Sequence, residues 1–366
     1  MNRKIIKFLF TCLYLTLYIL SSSLFAQKSD SPAPSTGTYT NPIAGGEIRM
    51  GDPFVLFHHG VYYLYGTTRN FGCWRSENLV DWSYAGPAYQ TDRNEWATGN
   101  FWAPEVQYYQ GKFYMIYSAQ GPDLRPTASP EQTDSKKFMW ICLAVSEAPE
   151  GPFVDLKTQL FTDDESCIDG SLFFDKDGTP YVYFVRVGVV GNPFAEPSTG
   201  YMYGKIYVAP LSKDLTQLAG DPVLCVQADQ SWEQARSMFS RCTEGPFVFK
   251  QGDRYYMTYS FYHYAKPEYG IGYATATSPL GPWTKGANNP LVTQNLAIGV
   301  SGPGHNSVTV SPDGKELFMV YHVHADPDKP GGNRNVNIDR LTVTPDGQLQ
   351  LTGPTRSPQP LPGGAE

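Results

Sequence analysis

Three acids stand at matching places in a repeated phrase: Asp52 in "GDPFV", Asp169 in "IDGSLFFD" and Glu244 in "TEGPFVFK". Each opens a run of apolar and aromatic residues with strand character, and strands exclude acids unless something is gained from them. Turn glycines set the register. Asp52 lies eight residues before Gly60 and Glu244 eight before Gly252, while Asp169 lies nine before Gly178 in a turn that reads one residue longer. The three therefore read as equivalent positions. An acid at a strand start can also form a turn or a cap, but three at matched positions weaken that explanation. Two carboxyl groups across a small polar cavity suit glycosidic bond hydrolysis, one protonated to help the leaving oxygen depart and one ionised to activate water or attack the sugar. A third acid beside the donor raises the donor's pKa by like-charge repulsion.

Such acids need an architecture that gathers them, because they are far apart along the chain. The phrase recurs five times as an acidic or polar residue, an apolar strand, a glycine turn, a Tyr-rich strand and a later strand ending in a phrase such as "SPLGPW". The leading positions Asp52, Glu105, Asp169, Glu244 and His305 are separated by 53, 64, 75 and 61 residues. Repeats of this length, with no long amphipathic helical stretch, predict an all-β fold, a five-bladed β-propeller. A two-sheet sandwich also has many short strands, but it does not predict the repeat. In a propeller the first strand of each blade lines the central channel, so the leading residues meet at one end of it. His305, nine before Gly314, shares the register. Glu105, six before Gly111, keeps the strand face but sits further along, which gives it a supporting role.

The chain opens with Arg3, Lys4 and Lys7 ahead of an apolar run ending in small residues near Ala26, the layout of a secretory signal. Export to the periplasm or the extracellular space follows, with a retained membrane anchor as the rival. We expect a signal peptide over 1–26, a flexible Ser/Pro/Thr-rich leader over 27–40, a catalytic propeller over 41–350 and a C-terminal tail over 351–366. The net charge of −7 becomes −10 once the three basic residues of the signal are removed, which argues against nucleic acid or an anionic membrane as partner. Five cysteines remain after the signal. That odd number, with no metal-site spacing, points to buried small hydrophobes rather than a disulfide framework.

The ordered phrases "GDPFV", "WAPE", "IDGSLFFD", "TEGPFVFK" and "GPGHN", at blade spacing from about Asn41 to Leu349, resemble glycoside hydrolase family 43. The resemblance implies an inverting mechanism with Asp52 as general base, Glu244 as general acid and Asp169 tuning and orienting the acid. It further implies that Trp102, in "FWAPE", flanks the sugar, and that Arg334 reaches both the sugar and the tuning aspartate. His305 matches a histidine that helps hold a hydrated calcium ion in the channel, although imidazole is an unusual ligand for so hard a cation. His305 filling the channel through hydrogen bonds is the alternative, and the chemistry itself requires no cofactor. His322 and His324 alternate on one strand and read as structural or pocket-edge residues. The implied partner is an arabinose- or xylose-containing oligosaccharide or polysaccharide. An exo-acting α-L-arabinofuranosidase comes first, then a β-xylosidase or endo-1,5-α-L-arabinanase, and, from another class, a non-catalytic carbohydrate-binding propeller. Two long insertions, "GPDLRPTASPEQTDSKKF" and "GVVGNPFAEPSTGYMYG", are expected to shape the rim.

Overall fold

Four antiparallel strands make each blade. The computed structural model describes residues 37–90, 96–97, 99–122, 138–189, 202–234 and 240–365. The first blade is Gly51–His58, Val61–Thr67, Gly72–Ser76 and Ser83–Pro87, and the second is Gly99–Tyr109, Lys112–Gly121, Phe138–Ser146 and Val154–Lys157. The third comprises Ser166–Phe174, Pro180–Val189, Met202–Pro210 and Val223–Val226. Ser240–Gln251, Arg254–Phe261, Gly270–Ala276 and Thr284–Lys285 form the fourth; Gly304–Val310, Leu317–His324, Arg334–Val343 and Leu349–Leu351 form the fifth. The third and fourth blades are stitched into one continuous sheet by a parallel pairing of Met202–Gly204 with Ser240–Cys242. Among the described residues there is no α-helix, and no helix long and apolar enough to cross a membrane.

Period-two alternation explains why these strands read as nearly unbroken apolar runs. In "VYYLY", Tyr62 and Leu64 pack with Val320 and Ile338 of the fifth blade. Tyr63 and Tyr65 pack in a cluster with Phe113, Met115 and Tyr117 of the second. Both faces of a blade are therefore buried, and the core is a set of layers between neighbours. Each large side chain withdrawn from water in this way contributes roughly 1.5–3 kcal/mol.

The ring closes. Each innermost strand contacts the next, and the fifth returns to the first. One hydrogen bond repeats at the junctions. The backbone N–H of a leading residue on one blade donates to a side chain on the second strand of the preceding blade. Ala103 donates to Thr67 Oγ1 (2.8 Å), Asp169 to Ser118 Oγ (2.8 Å), His305 to Ser260 Oγ (2.7 Å) and Asp52 to His322 Nδ1 (3.2 Å). All four donors sit in a left-handed backbone, with φ of 48°, 53°, 44° and 55°, at a bulge in the strand pairing. That conformation costs an L-residue about 1–2 kcal/mol, and such bulges re-aim side chains beside functional sites. At the third-to-fourth junction the equivalent acceptor position is Val185, which cannot accept, and Gly245 (φ 57°) donates instead to Asp169 Oδ2 at 3.0 Å.

The expected domain bounds shift at both ends. Thr38–Tyr39, assigned to a flexible leader, pairs with Gln359–Pro360 from the supposed tail, and Asn41 Nδ2 donates to the Ile338 carbonyl at 2.7 Å. Arg340 holds the Leu361 carbonyl (2.8 Å), and Glu316 accepts the Gly363 N–H (2.7 Å). These bonds fasten both ends onto the fifth blade, where backbone groups would otherwise be unpaired. The signal-like stretch 1–26 lies outside the described residues, as does most of each long insertion. The cysteines 73, 142, 167, 225 and 242 form no disulfide with one another, and all but Cys225 are buried.

Candidate active site

Two successive rings of residues form one end of the channel. By strand pairing, the outer ring is Gly51, Trp102, Ile168, Glu244 and Gly304, and the inner ring is Asp52, Ala103, Asp169, Gly245 and His305. Asp52, Asp169 and His305 are equivalent, as the spacing predicts. Glu244 is not; it stands one residue earlier. The reason lies in the hairpin turns: Gly60 fills the second place of its turn, between His58 and Val61, whereas Gly252 fills the first, between Gln251 and Arg254. His59 and Gly60 both have positive φ, whereas in the other turn only Gly252 does; the two hairpins use different turn types that place glycine second or first, so counting back from it misses by one.

Asp52 is held on every side. Thr67 Oγ1 donates to its Oδ2 at 2.5 Å, and Arg334 NH1 donates to its Oδ1 at 3.0 Å. The Nδ1 atoms of His305 and His322 lie 3.4 and 3.7 Å from Oδ1. Burial alone would push the carboxyl up, but Arg334, the two imidazoles and the Thr67 hydroxyl together hold it well below the usual carboxylate range. Gly51 permits the arrangement, since a Cβ there would come within 1.9 Å of the Arg334 guanidinium.

Glu244 and Asp169 have the opposite fate. Burial pushes Glu244 up to about 7, with a further push from Asp52 and partial relief from the Tyr269 hydroxyl and Arg334. Tyr269 OH donates to Glu244 Oε1 at 2.6 Å. Asp169 is also pushed up, by burial first and then by the charges of Glu244 and Asp52, with the Gly245 N–H opposing. A buried pair of acids beside an ionised third cannot readily shed both protons.

The remaining expected residues fall as follows. Trp102 is 36% exposed and occupies the strand position of Glu244, which favours the rim over the core. Arg334 is buried rather than on a surface loop, and its guanidinium is taken by Asp52, the candidate base, instead of by the tuning Asp169. It also lies 5.2 Å over the exposed Tyr264 ring. His305 is buried, and desolvation lowers its pKa more than Asp52 raises it. Among the described residues no three His, Cys, Asp or Glu groups converge to hold a metal, so His305 would offer a hydrated calcium ion a single imidazole, with water supplying most of its six to eight oxygens. His305 also stands beside Asp52, lies 4.0 Å from Asp169 and donates its own amide to Ser260. Glu105 is buried two places beyond the inner ring, and burial pushes it up to about 8, so it carries a proton at neutral pH. His324 is structural, its two nitrogens on Ser301 Oγ (2.9 Å) and the Tyr264 carbonyl (2.7 Å).

Sequence reasoning missed Thr67, Ser118, Ser260 and Tyr269, and placed His322 only at the edge. A signal existed for all but Tyr269. The second strands carry Gly66-Thr67, Tyr117-Ser118, Phe184-Val185, Tyr259-Ser260 and Tyr321-His322 at one equivalent place, where a polar residue recurs and fails once.

The model of glycosyl hydrolases family 43 matches residues 39–349. The chain belongs to glycosyl hydrolase family 43. This family 43 chain is 25% identical to an extracellular exo-alpha-(1->5)-L-arabinofuranosidase of Streptomyces avermitilis, over 94% of its own length and 69% of the relative's. It is 24% identical to a beta-D-galactofuranosidase of Aspergillus niger over 93% of each chain. The crystal structure of a thermostable family-43 glycoside hydrolase superposes with a TM-score of 0.79 at 48% identity, covering 89% of this chain and 99% of that one. The family 43 chain is thus a glycoside hydrolase built as a five-bladed propeller.

Proposed function

We propose that this family 43 enzyme is an exported, inverting hydrolase that releases pentose, α-L-arabinofuranose first, from plant cell-wall polysaccharides or their fragments. One observation carries the mechanism: two buried carboxyl groups at one end of the channel are driven in opposite directions, Asp52 held ionised and Glu244 pushed up to about 7. Asp52 takes a proton from a water whose oxygen attacks the anomeric carbon, while Glu244 delivers its proton to the departing glycosidic oxygen as the C–O bond breaks. Asp169 keeps the Glu244 proton in place at neutral pH and fixes the backbone behind it through Gly245. The chemistry uses these carboxyls and water and needs no metal. Both relatives named above act on furanosides, which favours a furanose ring over xylopyranose. The signal-like leader, together with the extracellular designation of one of them, supports export.

Glu244→Gln is expected to abolish hydrolysis of unactivated arabinan or arabinoxylan fragments by at least about a thousandfold, within the range general acid catalysis supplies, while leaving sugar binding intact. A wild-type rate in that variant would remove Glu244 from the acid role. Product anomers followed by proton NMR should show inversion. In the wild type kcat/KM should fall as pH rises through about 7, where Glu244 loses its proton, and persist on the acid side below the ordinary carboxylate range, because Asp52 stays ionised there.

A further inference from the structure

Glu244 does not meet Tyr269 in isolation. Tyr269, the residue before the third strand of the fourth blade, is fully buried, and its ring lies parallel to His322 at 5.7 Å with a 9° tilt. His322 in turn accepts the Asp52 amide. Room for the ring comes from Gly304, where a Cβ would stand 1.9 Å from it. The Ser260 side chain lies near enough to the phenol to lower its pKa as a donor would, and its oxygen accepts the His305 N–H.

These bonds allow one direction. Ser260 Oγ receives a proton donor from the backbone, so its own hydrogen is free to go to the Tyr269 oxygen, and Tyr269 then donates to Glu244 Oε1. Burial and the neighbouring Glu244 raise the phenol well above its ordinary pKa, so Tyr269 remains a donor throughout the working range. A carboxyl oxygen that accepts a fixed hydrogen bond is the poorer place for the acidic proton. We propose that Tyr269 is a positioning residue that fixes which oxygen of Glu244 carries the catalytic proton, reserving Oε1 as acceptor and leaving the proton on Oε2. This rests on the acid role assigned to Glu244 above. The charged and titratable groups acting on Glu244 are Asp169, Asp52, Arg334 and Tyr269, and Tyr269 is the one whose bond can be deleted with no change of charge.

Tyr269→Phe removes the donor and keeps the ring on His322. Proton delivery matters most where the leaving group is a poor one. The variant should therefore lose about 10- to 100-fold in kcat on an unactivated arabino-oligosaccharide and less than about threefold on a nitrophenyl arabinofuranoside. Its alkaline limb on the unactivated substrate should move to higher pH, since a donor that favoured the ionised form is gone. Gly304→Ala, which displaces the ring instead, should reproduce the same split between substrates. Equal losses on both substrates, or wild-type rates with an unmoved alkaline limb, would overturn the proposal. Glu244→Gln assayed alongside separates the two levels: an active Gln variant overturns the acid assignment and this inference together, whereas an inactive one beside a wild-type-like Phe variant overturns this inference alone.

Discussion

Four junctions of the ring are closed by a hydroxyl or an imidazole on a backbone amide, and the fifth by a carboxylate. Thr67, Ser118, Ser260 and His322 do the first; Asp169 does the second, where Val185 leaves the Gly245 amide without a partner on the usual strand. The contrast shows how a repeated structural position is converted to chemistry. A neutral acceptor at the third-to-fourth junction would close the ring equally well and leave the acid beside it untouched. With valine there, the bond that seals the junction also places a charge-bearing group against Glu244. On the proposed roles of Asp169 and Glu244, structure and proton control at that junction are one interaction, whereas at Ser118 they are separate.

Asp169 replaced two ways gives the sharpest break. Asp169→Ala removes both the junction bond and the charge, and Asp169→Asn keeps an acceptor for Gly245. Both should lose about a hundredfold or more in kcat/KM on unactivated substrate. Only the alanine variant leaves a buried N–H unpaired, at a cost of about 1–3 kcal/mol, so its Tm should fall a few degrees below that of the asparagine variant; equal melting points would deny the junction bond its structural share. A smaller effect is expected at an ordinary junction that touches the base. Thr67→Val removes the donor to Asp52 and the acceptor for Ala103, so the Asp52 pKa rises and the acid limb of kcat/KM should move to higher pH. The rate at neutral pH should drop about tenfold. The mildest test restores the missing repeat. Val185→Thr offers Gly245 a hydroxyl and frees Asp169, which should lower kcat/KM by about three- to tenfold, and in the Asp169→Ala background it should recover part of the lost Tm but none of the activity.

Much of this was legible before any coordinates. The strand-turn-strand repeat, its near-regular spacing and the convergence of Asp52, Asp169 and His305 follow from turn glycines and apolar runs, because blade pairing is local. Glu244 was found but misplaced by one residue, since a turn glycine does not say whether it fills the first or the second place of its turn. Tyr269 was beyond reach, because its role depends on a ring lying over a neighbouring blade where Gly304 makes room, a contact between residues 35 positions apart with no periodic signature. The partner of Arg334 was likewise set by the absent side chain at Gly51 rather than by any motif. Thr38 and Gln359 carried no signal either, as two-residue pairings at chain ends are too short to show alternation.

That last pairing reaches further than sealing an edge. Thr38 and Pro360 lie side by side, so a short linker could join a chain cut to those residues, at the expense of the Leu361 and Gly363 bonds to the fifth blade, and new ends could be opened at an exposed hairpin such as His59-Gly60. A catalytic disc of this kind could also be inserted into a surface loop of another protein, its entry and exit side by side, with the acids facing a solvent of the engineer's choosing.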